Sequence, residues 1–208
     1  MKIAVVADEP ARQEWLSRGL PDDTEIVWLE NPGPVTGAGA YIDLLFDSGE
    51  NRIAEWKEVN DTPVLINDVL KSSGQLPQNV VRMNGWPTFA GRAITEAARV
   101  SEEWKIKTTA VLAACNRTVE WVPDIPGFIT GRVVSMIINE AWYALEEGVT
   151  SKGETDTAMK LGTNYPYGPF DWGERIGLAN IYRLLHLLAA DNPRYTPCAL
   201  LKKQVLPE

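Results

Sequence analysis

Asn67, Asn84, Trp86, Arg92 and Glu96 have the types and spacing to bind or transform a small molecule. The first four fall near the C-terminal ends of apolar runs that read as strands, where α/β proteins place their ligands. Amides and a guanidinium there could hold a ligand's oxygens, and an indole could cover its apolar part. Glu96 is the carboxylate best placed to act as a general base. Glu30 ends a further apolar run, about twenty residues after the first, where an acid would bind a ribose hydroxyl.

Other chemistries are disfavoured. His186 is the only histidine, set within Leu184-Leu185-His186-Leu187-Leu188, and reads as a partly buried structural residue of an apolar helix. Cys115 and Cys198 show neither a pairing pattern nor metal-ligand spacing, so no zinc site and no disulfide framework are expected. Neither a G-x-S-x-G elbow nor a P-loop is present. The net charge of −8 argues against nucleic acid and against anionic lipid. The opening apolar run, Ile3 to Ala7, is too short for a signal peptide or a membrane span, which suggests a cytoplasmic protein.

Elements that could position these residues follow from the hydrophobic pattern. Residues 2–7, Thr24–Glu30, Tyr41–Asp47, Pro63–Asp68 and Val80–Asn84 read as strands. Helices are expected from Asp8 to about Ser17 and over Asn51–Val59. Ser72 to Pro77 reads as a loop. Phe89–Val100 fits strand and helix equally. A helix over Ser101–Ala114 and a strand over Thr118–Val122 follow. Strands alternating with short helices predict a parallel α/β sheet. From Pro126 onward the period is helical. Phe128–Glu147 is apolar nearly all round, as a helix buried on most faces would be, and Gly148 can end it. Further helices fit Glu154–Leu161, Pro169–Ile176, Leu178–Ala190 and Pro197–Gln204. The domain boundary is placed near Pro123, giving domains 1–123 and 124–208.

The second domain carries Asp124-Ile125-Pro126-Gly127-Phe128-Ile129-Thr130-Gly131-Arg132, then Glu140-Ala141 and Leu145-Glu146-Glu147-Gly148-Val149. Asp156 to Gly162, Gly168-Pro169-Phe170, Ile176-Gly177-Leu178 and Arg194-Tyr195-Thr196-Pro197 follow. In this order the motifs resemble the helical C-terminal domain of 3-hydroxyacyl-CoA dehydrogenases. The resemblance implies a Rossmann-like sheet domain before it, NAD as cofactor by family analogy, an acyl-CoA-like ligand and a homodimer. It also implies a catalytic His oriented by a Glu, with Ser and Asn groups holding the substrate oxygen.

The first domain departs from that pattern. The family's nucleotide domain is longer, and the missing length falls mainly between the second and fourth strands. Where the dinucleotide fingerprint G-x-G-x-x-G belongs, this chain has Ala7, Glu9 and Arg12. Asp8 and Glu9 would repel a diphosphate. A like-charge contact at ~4 Å costs about 4 kcal/mol at an effective dielectric of ~20. Helix-dipole attraction of roughly 0.3–1 kcal/mol does not offset it. The loop therefore reads as a helix cap. Anchored on Pro87, the family's H-F-F-N-P segment puts Met83 in the histidine's place and leaves Glu96 one residue from the orienting Glu, as a surface carboxylate. Asn67 survives from an S-N-T-S element, and Gly131 replaces the motif's Asn. The expected protein is a dehydrogenase relative without the standard NAD site and His-dependent catalysis, binding an acyl-CoA or related small molecule. The alternatives are an NAD-dependent oxidoreductase with an atypical site and a non-enzymatic homodimeric assembly protein.

Overall fold

The computed structural model describes residues 1–46, 51–56, 58–59, 61–71 and 76–206. They form two compact units, Met1–Phe128 and Ile129–Glu208. Asp47, part of the helical run expected over Asn51–Val59, and Ser72 to Gln75 of the expected loop lie outside the described residues.

The first unit is a seven-stranded sheet in the order β2-β1-β3-β4-β5-β6-β7. Its strands are β1 (Lys2–Val6), β2 (Glu25–Leu29), β3 (Ala40–Asp43), β4 (Val64–Asn67), β5 (Val80–Met83), β6 (Ile94–Ala98) and β7 (Thr118–Val122). Helix α1 (Glu9–Leu16) follows β1, and α2 (Glu102–Ala113) joins β6 to β7. A short 3-10 turn over Asn51–Trp56 stands where a longer helix was expected. The third strand ends at Asp43, earlier than its apolar run, because the Asp43 carboxylate accepts the Leu45 amide at 3.1 Å and turns the chain.

Alternation along the strands sorts side chains into two cores, as a sheet covered on both faces requires. Ile3, Val5, Ile42, Leu65, Val81, Met83 and Ala97 meet Trp15, Val111 and Leu112 on one face. Ala4, Val6, Tyr41, Val64, Ile66 and Val80 meet Phe46 and Trp56 on the other.

The sheet is parallel except between β5 and β6, which pair antiparallel with Met83 opposite Ala97. Phe89–Val100 was ambiguous; it supplies β6. The link from Asn84 to Ala93 carries no helix, and a parallel crossover needs a dozen or more residues, so the chain reverses instead.

The second unit contains α3 (Thr130–Glu146), α4 (Lys152–Thr163), α5 (Pro169–Ile176), α6 (Leu178–Ala189) and α7 (Ala199–Val205). Helix α3 buries Val134, Ile138, Ala141 and Trp142 and leaves Val133 about half exposed, as is Ile129 just before it. Only Val133, Glu140 and Glu146 of the helix are exposed, so it is buried or half-buried on most faces, as the composition suggested. Polar side chains fix the helix starts. Ser151 and Glu154 form a reciprocal capping box on α4. Asp156 accepts the amides of Phe170 and Asp171 at 2.8 and 3.0 Å, holding the start of α5. Glu146 accepts the Leu200 amide at 3.0 Å, holding α7.

Candidate functional site

An open α/β sheet binds ligands beyond the C-terminal ends of its strands, at the point where strand order reverses. Here β1 has β2 on one side and β3 on the other, so that point lies at Ala7, Asp43 and their neighbours. Asp8 is the N-cap of α1, and its carboxylate accepts the Ala11 amide at 2.9 Å. A helix amino end attracts anions, and this one is served by the chain's own. Arg12 folds back to donate from Nε to the Ala7 carbonyl at 3.2 Å, its guanidinium 5.3 Å from the Trp28 ring. The loop is a helix cap, as the sequence indicated. Glu30 is exposed just past β2, beside this loop.

At the end of β3, Asp43 is fully buried and binds Arg52 through both carboxylate oxygens, at 3.0 and 3.1 Å from Nη2. The Trp56 indole donates to the same carboxylate at 3.3 Å. Burial raises the Asp43 carboxyl above its ordinary range, and Arg52 opposes that rise. Sequence reasoning missed this pair. Its only signal was an acid closing an apolar run with an arginine in the following segment.

Asn67, Asn84, Trp86 and Glu96 are brought together at the ends of β4 and β5. The Asn67 amide donates to the Leu44 carbonyl at 3.1 Å and accepts the Gly85 amide at 2.9 Å. A Cβ on Gly85 would lie 3.0 Å from the Asn67 side chain, so this close approach suits glycine. The Asn84 backbone amide donates to the Glu96 carbonyl at 2.9 Å. Its side-chain nitrogen faces the Glu96 carboxylate at 3.4 Å, and its oxygen accepts the Trp86 amide at 3.3 Å.

One expectation is corrected here, and the register adds a contact. Met83 is fully buried in the sheet core and faces away from Glu96. Asn84 is the residue opposite Glu96, because the antiparallel register pairs Met83 with Ala97 and its neighbours across from one another. Glu96 is also no surface carboxylate. It is 8% exposed, since β6 lies between β5 and β7.

Arg92 stands apart from that group. It is exposed, donates to the Thr88 carbonyl at 3.1 Å and lies over the Phe89 ring. His186 is exposed and stacks on Tyr182 at 5.7 Å, correcting the expectation of partial burial. Its position on α6 is one helical turn after Tyr182, outside the buried stripe of Ile181, Leu184, Leu185 and Leu188. Among the described residues no group of His, Cys, Asp and Glu could hold a metal ion.

Two buried arginines were also missed. Arg117 donates to the carbonyls of Cys115, Trp15 and Ala90 and stacks 3.7 Å from the Trp15 ring centre. Burial lowers its pKa to about 10. Burial also pushes the Cys115 thiol up to about 11, keeping it protonated and inert at neutral pH. Arg82 is fully buried on β5 and bonds the Asp68 carbonyl and the Asp124 carboxylate.

The mainly parallel sheet of the first unit is Rossmann-like, and a helical unit follows it along the chain. Residues 127–207 match the 3-hydroxyacyl-CoA dehydrogenase C-terminal domain. Across 124 residues the chain is 43% identical to the 3-hydroxyadipyl-CoA dehydrogenase of Escherichia coli, covering 58% of this chain and 26% of that protein. It is 41% identical over 141 residues to a 3-hydroxybutyryl-CoA dehydrogenase of Clostridioides difficile, covering 65% and 50% respectively. The chain thus spans a quarter to a half of these relatives' lengths. The fold is similar to the crystal structure of an (S)-3-hydroxybutyryl-CoA dehydrogenase from Ralstonia eutropha. That match has a TM-score of 0.74 and 18% identity, covering 98% of this chain and 93% of that one. Over residues 127–207 the chain is thus similar to the C-terminal domain of 3-hydroxyacyl-CoA dehydrogenases.

Proposed function

We propose that this protein is a family member whose degenerate Rossmann-like domain, residues 1–123, has lost standard NAD binding and His-dependent proton transfer. On this reading it binds an acyl-CoA or related small molecule without oxidising it. The observation that carries the proposal is Asn84 facing Glu96. A carboxylate can orient a neighbouring imidazole and stabilise its protonated form, but a neutral carboxamide accepts no proton near neutral pH. The β1–α1 loop supports the same conclusion. The residues there do not fit a diphosphate, because Asp8 already takes the Ala11 amide and Glu9 adds a second negative charge.

Calorimetric titration with acetoacetyl-CoA should show binding that NAD neither requires nor strengthens. Absence of heat with the thioester would remove the binding half of the proposal. NADH formation from 3-hydroxybutyryl-CoA would remove the other half. The rival reading, in which Glu96 acts as base in an NAD-dependent oxidoreductase, draws on the burial of that carboxylate. It requires turnover that Glu96→Gln abolishes.

Residues 124–208 would serve as the dimerisation-type module of a cytoplasmic homodimer, to be checked by light scattering at micromolar concentration. Among the described residues no helix is long and apolar enough to cross a membrane.

A further inference from the structure

We infer that Arg82 is the latch of a strap, residues 124–128, that closes over the ends of β4 and β5 and can open locally while the sheet remains folded. The inference rests on contacts within the first unit and deepens the site reading above by assigning a positioning residue to it.

Arg82 lies on β5 with its side chain wholly buried, and strand register sets it opposite Ile66. Its Nε donates to the Asp68 carbonyl at 3.0 Å, one residue past Asn67. Nη1 forms an ion pair with the Asp124 carboxylate, whose side chain is 27% exposed. The guanidinium also lies 4.9 Å from the centre of the Phe128 ring. One side chain therefore holds the β4 end, the start of the strap and its last residue. Between them the Gly127 amide donates to the Val69 carbonyl at 2.7 Å, a second fastening on the segment that follows Asp68.

The strap is held in a conformation that its residues do not favour on their own. Gly127 and Phe128 both have positive φ, +86° and +48°. The left-handed region suits glycine, but a residue with a bulky side chain is disfavoured there and persists when its surroundings impose it. Arg82 itself is incompletely satisfied, since its buried Nη2 has no hydrogen-bond partner. A segment that holds Phe128 at positive φ should open before a strand core does. Because the same arginine fixes the Asp68 carbonyl, opening would also loosen Asn67, which positions the Gly85 amide and Leu44 carbonyl.

The test is hydrogen exchange of individual amides in the full chain, comparing wild type with Asp124→Asn and Arg82→Met. The Asp124 substitution removes charge from a partly exposed side chain and keeps its shape, so it should fold. The expected result is a 10- to 100-fold faster exchange at Gly127 and Gly85, with Val5 and Ile42 in the sheet core unchanged. Unchanged exchange at Gly127 in Asp124→Asn would overturn the latch. A uniform acceleration that includes Val5 and Ile42 would overturn it also, by making the ion pair a component of global stability. Arg82→Met adds a second reading if it folds, with an effect on Gly127 at least as large. None of these outcomes depends on acyl-CoA binding, so the latch and the proposed function can fail separately.

Discussion

The two units use polar side chains to opposite ends. In the helical unit they complete helices: Asp156 holds the start of α5, Glu146 that of α7, and Ser151 with Glu154 that of α4. In the sheet unit they close the edge where a ligand would sit. Asp8 occupies the α1 amino end, Arg52 neutralises Asp43, and Asn84 engages Glu96. Motif residues that serve a fold survive as turn and cap chemistry. At the strand ends, polar groups satisfy one another: Asp43 with Arg52, and Asn84 with Glu96. The difference shows that the two units spend polar side chains differently: on helix starts in one, and mainly on strand ends in the other.

The largest expected effect lies in the helical unit. A Cβ added to Gly168 would fall 2.2–2.4 Å from Asp156 atoms, one of them backbone. Gly168→Ala should therefore cost more than about 4 kcal/mol and abolish cooperative unfolding of that unit. A urea midpoint shift below a few tenths molar would show that α4 and α5 can separate freely. Asp156→Ala should be milder, at about 1–2 kcal/mol, because it removes two capping bonds without a clash. The cap in the sheet unit offers the matching comparison. Asp8→Ala should cost about 1 kcal/mol in the same assay. No loss of stability there would mean that Asp8 is held for a purpose other than capping.

A pH experiment sharpens the contrast further. Burial raises the carboxyls of Asp43 and Asp68 above their ordinary value near 3.8 despite Arg52 and Arg82. A raised folded-state value means that the folded protein takes up protons before the unfolded chain does. These two groups therefore add stability as pH falls through their folded values, with the gain complete below 3.8. Wild type compared with the Asp43→Asn and Asp68→Asn double variant should gain relative stability over that window. A relative loss on acidification would reverse the sign and show that the ion pairs outweigh burial.

The smallest effect is a predicted silence. Asn84→His places an imidazole opposite Glu96 yet leaves the acidic β1–α1 loop intact. NADH formation from 3-hydroxybutyryl-CoA should stay at background in this variant. Turnover would show that the loop still accepts a dinucleotide.

Strand and helix identities were largely legible because short apolar runs and capping residues are local signals. Asp8 before Pro10 read as a cap and is one. The candidate site was only half legible. Asn67, Asn84, Trp86 and Glu96 were named from position, but the facing of Asn84 and Glu96 was not read because it depends on which way β6 runs. Arg82, Arg117 and the Asp43–Arg52 pair went unseen, since nothing in sequence distinguishes a buried arginine from a solvated one.

By itself the order of residues determined the alternation of strand and helix, the helical family motifs and the loss of the glycine fingerprint. These are properties of neighbours along the chain. The antiparallel turn of β6 was decided by three dimensions, because ten residues without a helix cannot span a parallel crossover. That reversal buried Glu96 and set Asn84 against it, while the alternation of β5 put Met83 with Val81 in the core.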